Sequence, residues 1–140
     1  ITRLIDMGLE PFLVSSSITG VIAQRLVRVI CPDCKKEYKP PDSVLEDVGM
    51  VSYKESVKFY RGKGCNKCMQ TGYRGRIGIF ELMVPSDDIR ALAVSKASTT
   101  EIRKAALKAG MRTMQADGLE KVRSGRTTLE EVMRVTQQEE

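Results

Sequence analysis

Apolar positions along the chain change their period several times, and each change marks an element. Ile1, Leu4, Ile5 and Leu9 fall at helical spacing with Gly8 able to close the last turn, so the chain opens inside the end of a helix and reads as a piece cut from a longer protein. After Glu10-Pro11 and Phe12-Leu13-Val14, the run Ser15-Ser16-Ser17 is suited to cap a helix carrying Ile18, Val21, Ile22 and Leu26 on one side. From Arg25 to Ile30 polar and apolar residues alternate, which predicts a short strand leading straight to Cys31. Arg25 and Arg28 read as outward-facing charges on that strand.

Between Cys31 and Cys68 the pattern breaks up. Pro32, Pro40 and Pro41 fall close together, and Gly62-Lys63-Gly64 prepares a tight turn before Cys65. Ser43-Val44-Leu45-Glu46 has capping-box spacing for one short helix ending near Gly49, and Val57-Lys58-Phe59-Tyr60 predicts a strand. Four of the seven aromatic residues (Tyr38, Tyr53, Phe59, Tyr60) lie in this stretch. A lobe of about 40 residues is near the size that needs a metal or disulfide to fold.

Tyr73 to Val84 reads as a strand with glycines at 75 and 78, closed by Pro85. Four helices should follow: Ser86 to Lys96 with Asp87 and Asp88 in its first turn; Ser98 to Ala109 with a Ser98/Glu101 capping box and Gly110 as stop; Arg112 to Ser124; and Thr127 to Thr136 with a Thr127/Glu130 capping box. The tail Gln137-Gln138-Glu139-Glu140 has nothing to bury and is expected to fray. The fold class that follows is α+β and mostly helical.

Composition removes several functions. With 41% hydrophobic residues over 140 positions the chain can bury a core. The complete absence of His excludes Ser-His-Asp and Cys-His catalysis, zinc-protease helices and mixed Cys/His fingers within these residues. The longest apolar-rich stretch, Val21 to Cys31, is interrupted by Gln24, Arg25 and Arg28 and falls well short of a bilayer span. No signal peptide is visible at the start. The net charge of +5 is spread evenly, with local nets of +1, +2 and +2 over residues 1–30, 31–68 and 69–140, which argues against a concentrated phosphate-binding face.

The strong chemical signal is the pair of Cys-x-x-Cys knuckles, Cys31/Cys34 and Cys65/Cys68, separated by 30 residues. Two facing knuckles supply the tetrahedral four-sulfur shell that structural zinc accepts, and such a shell leaves no open position for Lewis-acid catalysis. Lys35, Lys36, Lys63 and Lys67 flank the knuckles and should favour thiolates. Two disulfides are disfavoured because nothing suggests secretion. Rubredoxin-like iron uses similar knuckles but packs a dense aromatic core, and this chain has 5% aromatics and no Trp. A nucleic-acid zinc ribbon shares the spacing, yet a zinc held by four thiolates carries two negative charges net and cancels the lobe's positive excess.

A nucleotide loop is missing. Gly62-Lys63 is the sole Gly-Lys pair, and Val57 and Gly64 stand where a phosphate loop needs Gly and Ser or Thr. The paired carboxylates Asp87/Asp88 and Glu130/Glu131 sit at helix starts, where the helix dipole explains them. Met7, Met83, Met111, Met114 and Met133 read as core residues.

Read in order, several motifs resemble one family, the ATPases that drive type II secretion and type IV pilus assembly (GspE and PilB). They are Ile5-Asp6-Met7-Gly8-Leu9-Glu10-Pro11-Phe12-Leu13, Ala23-Gln24-Arg25-Leu26-Val27-Arg28 running into Cys31-Pro32-Asp33-Cys34, Gly64-Cys65 to Cys68, Thr71 to Leu82, and Thr127 to Thr136. The resemblance is to the family's C-terminal third, in its tetracysteine branch. It implies the end of a RecA-like nucleotide-binding domain over residues 1–30, a metal-binding lobe over 31–72, a returning strand over 73–84 and a helical subdomain over 85–140. It implies Cys31, Cys34, Cys65 and Cys68 as zinc ligands, and Arg76 near the nucleotide of the parent. ATP and Mg²⁺ belong to the parent, whose Walker motifs are not in these residues, so the piece alone should hydrolyse nothing. The implied partners are five further copies in a hexamer, an inner-membrane platform protein and the cytoplasmic domain of a membrane anchor, without nucleic acid. The implied location is the cytoplasm, at the bacterial inner membrane.

Overall fold

The structure is a computed structural model of the chain and describes residues 1–50 and 56–136. It is a mixed α+β fold whose elements run α1 (Thr2–Asp6), α2 (Pro11–Ser17), β1 (Val21–Ile30), β2 (Lys35–Tyr38), α3 (Asp42–Asp47), β3 (Phe59–Gly62), β4 (Tyr73–Met83), α4 (Asp87–Val94), α5 (Thr99–Lys108), α6 (Met114–Arg123) and α7 (Leu129–Thr136). A 3₁₀ turn at Asn66–Cys68 lies between β3 and β4. β1 pairs with β4, and β2 pairs with β3 in a separate antiparallel hairpin. Among the described residues no helix is long and apolar enough to cross a membrane. The expected fraying of residues 137–140 lies outside the described residues.

Two compact units divide the chain. The first comprises Ile1–Ala23 and Glu81–Thr113. Its core is Ile89, Ile102 and Ala106, with Ile1, Met83, Leu92, Ala105 and Met111 packed around them. α4 begins as expected, with Ser86 accepting a hydrogen bond from the Ile89 N–H. α5 forms the full capping box, the Ser98 hydroxyl accepting from the Glu101 N–H while the Glu101 carboxylate accepts from the Ser98 N–H.

The start of this unit differs from the sequence expectation. Pro11 occupies the first turn of α2 behind Glu10, a position where its missing N–H costs nothing, so Ser15-Ser16-Ser17 close that helix instead of opening another. Ser15 donates to the Arg90 carbonyl and Ser16 turns back onto Leu13. Val21 and Ile22 then enter β1, where β-branched side chains are better tolerated than in a helix.

The second unit comprises Gln24–Phe80 and Met114–Glu140. Its larger core joins Leu45, Met50 and Phe59 from the cysteine-bearing stretch to Val122, Leu129 and Val132 of the last two helices. A smaller cluster gathers Val27, Ile79, Met114 and Val135. α3 starts at Asp42 behind Pro41 without a side-chain cap, so the capping box expected at Ser43 does not form.

The cap of α7 is displaced by one residue. Thr128 accepts the Glu131 N–H at 3.3 Å, while Thr127, fully buried, donates to the Arg28 carbonyl at 2.8 Å. Glu131 thereby takes the third helical position, but its side chain is engaged elsewhere. Its carboxylate, 2% exposed, accepts from the Arg28 backbone N–H at 2.9 Å and the Arg28 guanidinium at 2.6 Å, and from Arg134 at 2.9 and 3.1 Å. Arg28 also lies 4.2 Å over the Tyr73 ring, whose hydroxyl meets Thr128 at 2.9 Å. Arg28 is therefore a tether between β1 and α7 and not an idle strand charge.

Candidate metal centre

Both knuckles follow from local backbone geometry. The first turns through Cys31–Cys34, with the Cys34 N–H bonded to the Cys31 carbonyl, and the chain continues directly into β2. The second is the 3₁₀ turn, closed by the Cys68 and Gln70 N–H groups on the Cys65 carbonyl. Met69 and Gln70 adopt positive φ (50° and 63°), the left-handed exit that folds the chain back toward the sulfurs.

Hairpin β2–β3 sets the two knuckles against each other. Its register pairs Lys35 with Gly62 and Tyr38 with Phe59, and the Lys63 N–H bonds the Cys34 carbonyl at 3.0 Å. A backbone crossing completes the frame, with the Cys31 N–H on the Gly72 carbonyl at 2.9 Å. A Cβ on Gly62 would overlap the Gly72 carbonyl and stand 2.5 Å from its Cα, and one on Gly72, at φ +75°, would come within 2.6 Å of the Gly62 oxygen. Neither position has room for alanine. Gly62→Ala is therefore expected to split the knuckles and lower metal retention several-fold at matched free zinc, read by mass spectrometry after dialysis. Retention equal to the unsubstituted chain would contradict this.

All four Sγ atoms lie within 4.8 Å of one another. Sulfurs held about 2.3 Å from a central zinc stand about 3.8 Å apart along the edges of a tetrahedron. The structure gives 3.9 Å for Cys31–Cys65, 3.9 Å for Cys34–Cys68 and 3.6 Å for Cys65–Cys68. The donor set and its spacing thus fit a four-sulfur metal shell. None of the four is joined in a disulfide.

Electrostatics divide the thiols. Burial pushes the Cys34 thiol up to about 12 and the Cys31 thiol up as well. Burial also acts upward on Cys68, but the N–H groups of Cys65 (3.2 Å) and Gly72 (3.3 Å) aimed at its sulfur outweigh it and bring it down to about 6. Backbone dipoles, more than the flanking lysines, prepare this thiolate. Lys35 lies instead over the Tyr60 ring at 4.3 Å. Lys67 acts at the mouth of the site, bonding Asp33 at 2.6 Å, with Arg74 on the same carboxylate at 3.6 Å. Asp33, 3.9 Å from the Cys31 sulfur, and Gly72 were not singled out by sequence reasoning. Their one signal is position, inside the first knuckle and four residues past the second.

Arg76 lies exposed on β4. Glu81, the partner a strand-edge arginine would take, is bonded by Arg103 at 3.1 and 3.4 Å. Among the described residues nothing fixes the Arg76 side chain, in contrast to the four cysteines.

Comparison with known proteins gives a consistent result. The family described as "Type II/IV secretion system protein" matches residues 1–134. The chain is 49% identical over 138 residues to the type II secretion system ATPase E of Vibrio cholerae, covering 99% of this chain and 27% of that protein. It is 48% identical over 139 residues to the type II secretion system protein E of Pseudomonas aeruginosa, with 99% and 27% covered. It is 46% identical over 134 residues to the type IV pilus assembly ATPase PilB of Thermus thermophilus, covering 95% of this chain and 15% of that one. The chain thus spans about a quarter or less of the length of these curated relatives.

Proposed function

The chain belongs to the type II/IV secretion system protein family, and from that membership we propose that it is the C-terminal part of an ATPase motor that powers type II secretion or type IV pilus assembly. The observation that carries the proposal is the convergence of four cysteine sulfurs at zinc spacing within a chain alignable over 99% of its length with a secretion ATPase.

Cys31, Cys34, Cys65 and Cys68 would hold one zinc, which supplies cross-linking of the two knuckles and no open coordination position. The protein's own groups do the rest. The Cys65 and Gly72 N–H groups hold negative charge at Cys68, and Asp33 collects Lys67 and Arg74 at the rim. In the parent, residues 1–30 complete a RecA-like domain. Exposed Met7, Leu9, Phe12 and Leu13 are the surface available for that packing. Arg76 reaches toward the nucleotide, and ATP with Mg²⁺ binds to upstream segments. The motor acts as a cytoplasmic hexamer at the inner membrane, against a platform protein and a membrane anchor. Type II secretion is the favoured system.

Two experiments test the reading. The isolated chain, freed of contaminating ATPases, is expected to show no ATP turnover; turnover by these residues alone contradicts it. Substituting the chain for the matching stretch of the Vibrio cholerae ATPase is expected to preserve secretion, and the same chimera with Cys31→Ser is expected to lose it. Secretion unaffected by the serine would overturn the role given to the metal lobe.

A further inference from the structure

Charge on the cysteine-bearing hairpin is uneven once its ion pairs are assigned. Asp33 takes Lys67 and Arg74, and Glu37 takes Lys58 at 3.2 Å. Apart from Lys35, which lies over the Tyr60 ring, and Lys39 just past β2, three exposed cations are left over. The register sets Lys36 directly opposite Arg61, and Lys63, two residues beyond Arg61, belongs to the same face of the pleat. Among the described residues no carboxylate lies within ion-pair distance of these three. Like charges placed opposite each other destabilise an antiparallel pair, so the arrangement works against the hairpin that carries it. It is also held in place: Arg61 lies 5.2 Å from the Tyr38 ring centroid, and the Tyr38 hydroxyl is anchored on Glu130 at 3.0 Å.

A second, independent feature adjoins the first. Among the described residues this sheet has two strands. Gly72 crowds the β3 side at Gly62, whereas the outer edge of β2 has no backbone partner among the described residues, and Lys35, Lys36 and Glu37 are exposed. An open edge is a template for an added strand. The lysines on this edge would repel a second copy of it, which removes the commonest unwanted partner and selects for opposite charge.

We infer that the β2 edge, with Lys36, Arg61 and Lys63, docks an extended acidic segment of a partner protein as a third strand, its carboxylates at alternate positions. Alternation follows from the pleat, which puts every second side chain on the cationic face. Lys36 would be one strand away, about 4.8 Å, and Arg61 two strands away, about 9.6 Å, within reach of arginine and glutamate side chains. Three cations on one face of a short hairpin are few for a nucleic-acid backbone, and a lipid surface would make no use of a strand edge. The inference concerns the hairpin alone and does not rest on the motor reading.

The test uses the metal-loaded chain and two labelled peptides of equal composition, one alternating Glu and Thr, the other with all its Glu in one block, followed by fluorescence anisotropy at low salt. The alternating peptide is expected to bind about fivefold tighter or more, and to lose about tenfold in affinity against a chain carrying Lys36→Gln, Arg61→Gln and Lys63→Gln, with metal content unchanged. If that variant loses metal, Lys36→Gln alone carries the test, with an expected loss of about threefold. No binding, equal affinity for the two peptides, affinity unchanged by the substitutions, or tighter binding to phosphatidylglycerol vesicles or a single-stranded oligonucleotide would each overturn the inference.

Discussion

Cys31→Ser is expected to abolish tight zinc retention and unfold the second unit, α6 and α7 included, while α4 and α5 remain helical. Removing one sulfur leaves a three-ligand shell, and apparent binding free energies of about 10–16 kcal/mol for structural zinc sites at neutral pH act largely as folding free energy. The damage spreads because the hairpin does not have a core to itself. Leu45, Met50 and Phe59 share theirs with Val122, Leu129 and Val132, so losing the knuckles exposes one side of the last two helices. Ile89, Ile102 and Ala106 form a different core, which keeps α4 and α5 out of reach. Hydrogen exchange resolved by element checks this: amides of α6 and α7 should lose protection and those of α4 and α5 keep it. Zinc content and protection equal to the unsubstituted chain would contradict it.

Glu131→Gln is expected to cost about 3 kcal/mol at neutral pH, roughly a 15 °C fall in the melting midpoint of the second unit. Burial alone would push the Glu131 carboxyl up, but hydrogen bonds from Arg28 and Arg134 outweigh it and lower it from an ordinary 4.5 to about 2. Because the folded value lies below the unfolded one, this stabilisation is present in full above about pH 4.5 and is lost as pH falls toward 2. The shift corresponds to about 3 kcal/mol, at about 1.4 kcal/mol per unit. The neutral amide should therefore flatten the acid side of the stability profile as well as lower the plateau. Arg134→Gln is the control, expected to cost under about 1 kcal/mol because its side chain is 53% exposed and Arg28 remains. A profile for Glu131→Gln that still falls between pH 4.5 and 2 with the original slope would show that another group carries the acid sensitivity.

Sequence reasoning reached the elements whose signals are local. The Ser98/Glu101 box and the strand delivering Arg28 to Cys31 form as their residue types require. It failed where two local readings competed. Ser15–Ser17 can cap a helix or end one, and Pro11 decides the matter from four residues upstream. Thr127 and Thr128 both stand three residues before a glutamate, and the choice rests on a partner in β1, Arg28, that no local pattern reveals. Gly118 shows the same limit. A mid-helix glycine is unfavourable by propensity, yet a Cβ there would meet Val132 at 2.6 Å, so the residue is set by how closely α6 and α7 pack. At the metal centre the donors were legible from spacing alone, because a Cys-x-x-Cys turn is its own signal. The Gly62/Gly72 crossing that aligns the two knuckles was not, since it depends on backbones distant in sequence.

The central claim is that four cysteines hold one zinc and thereby build the second unit. Elemental mass spectrometry of the chain, purified without chelating resin, together with the visible absorption of the same sample, tests it most directly. The account predicts one zinc per chain and no colour. Iron with a charge-transfer band, or four titratable thiols with no metal, would contradict it.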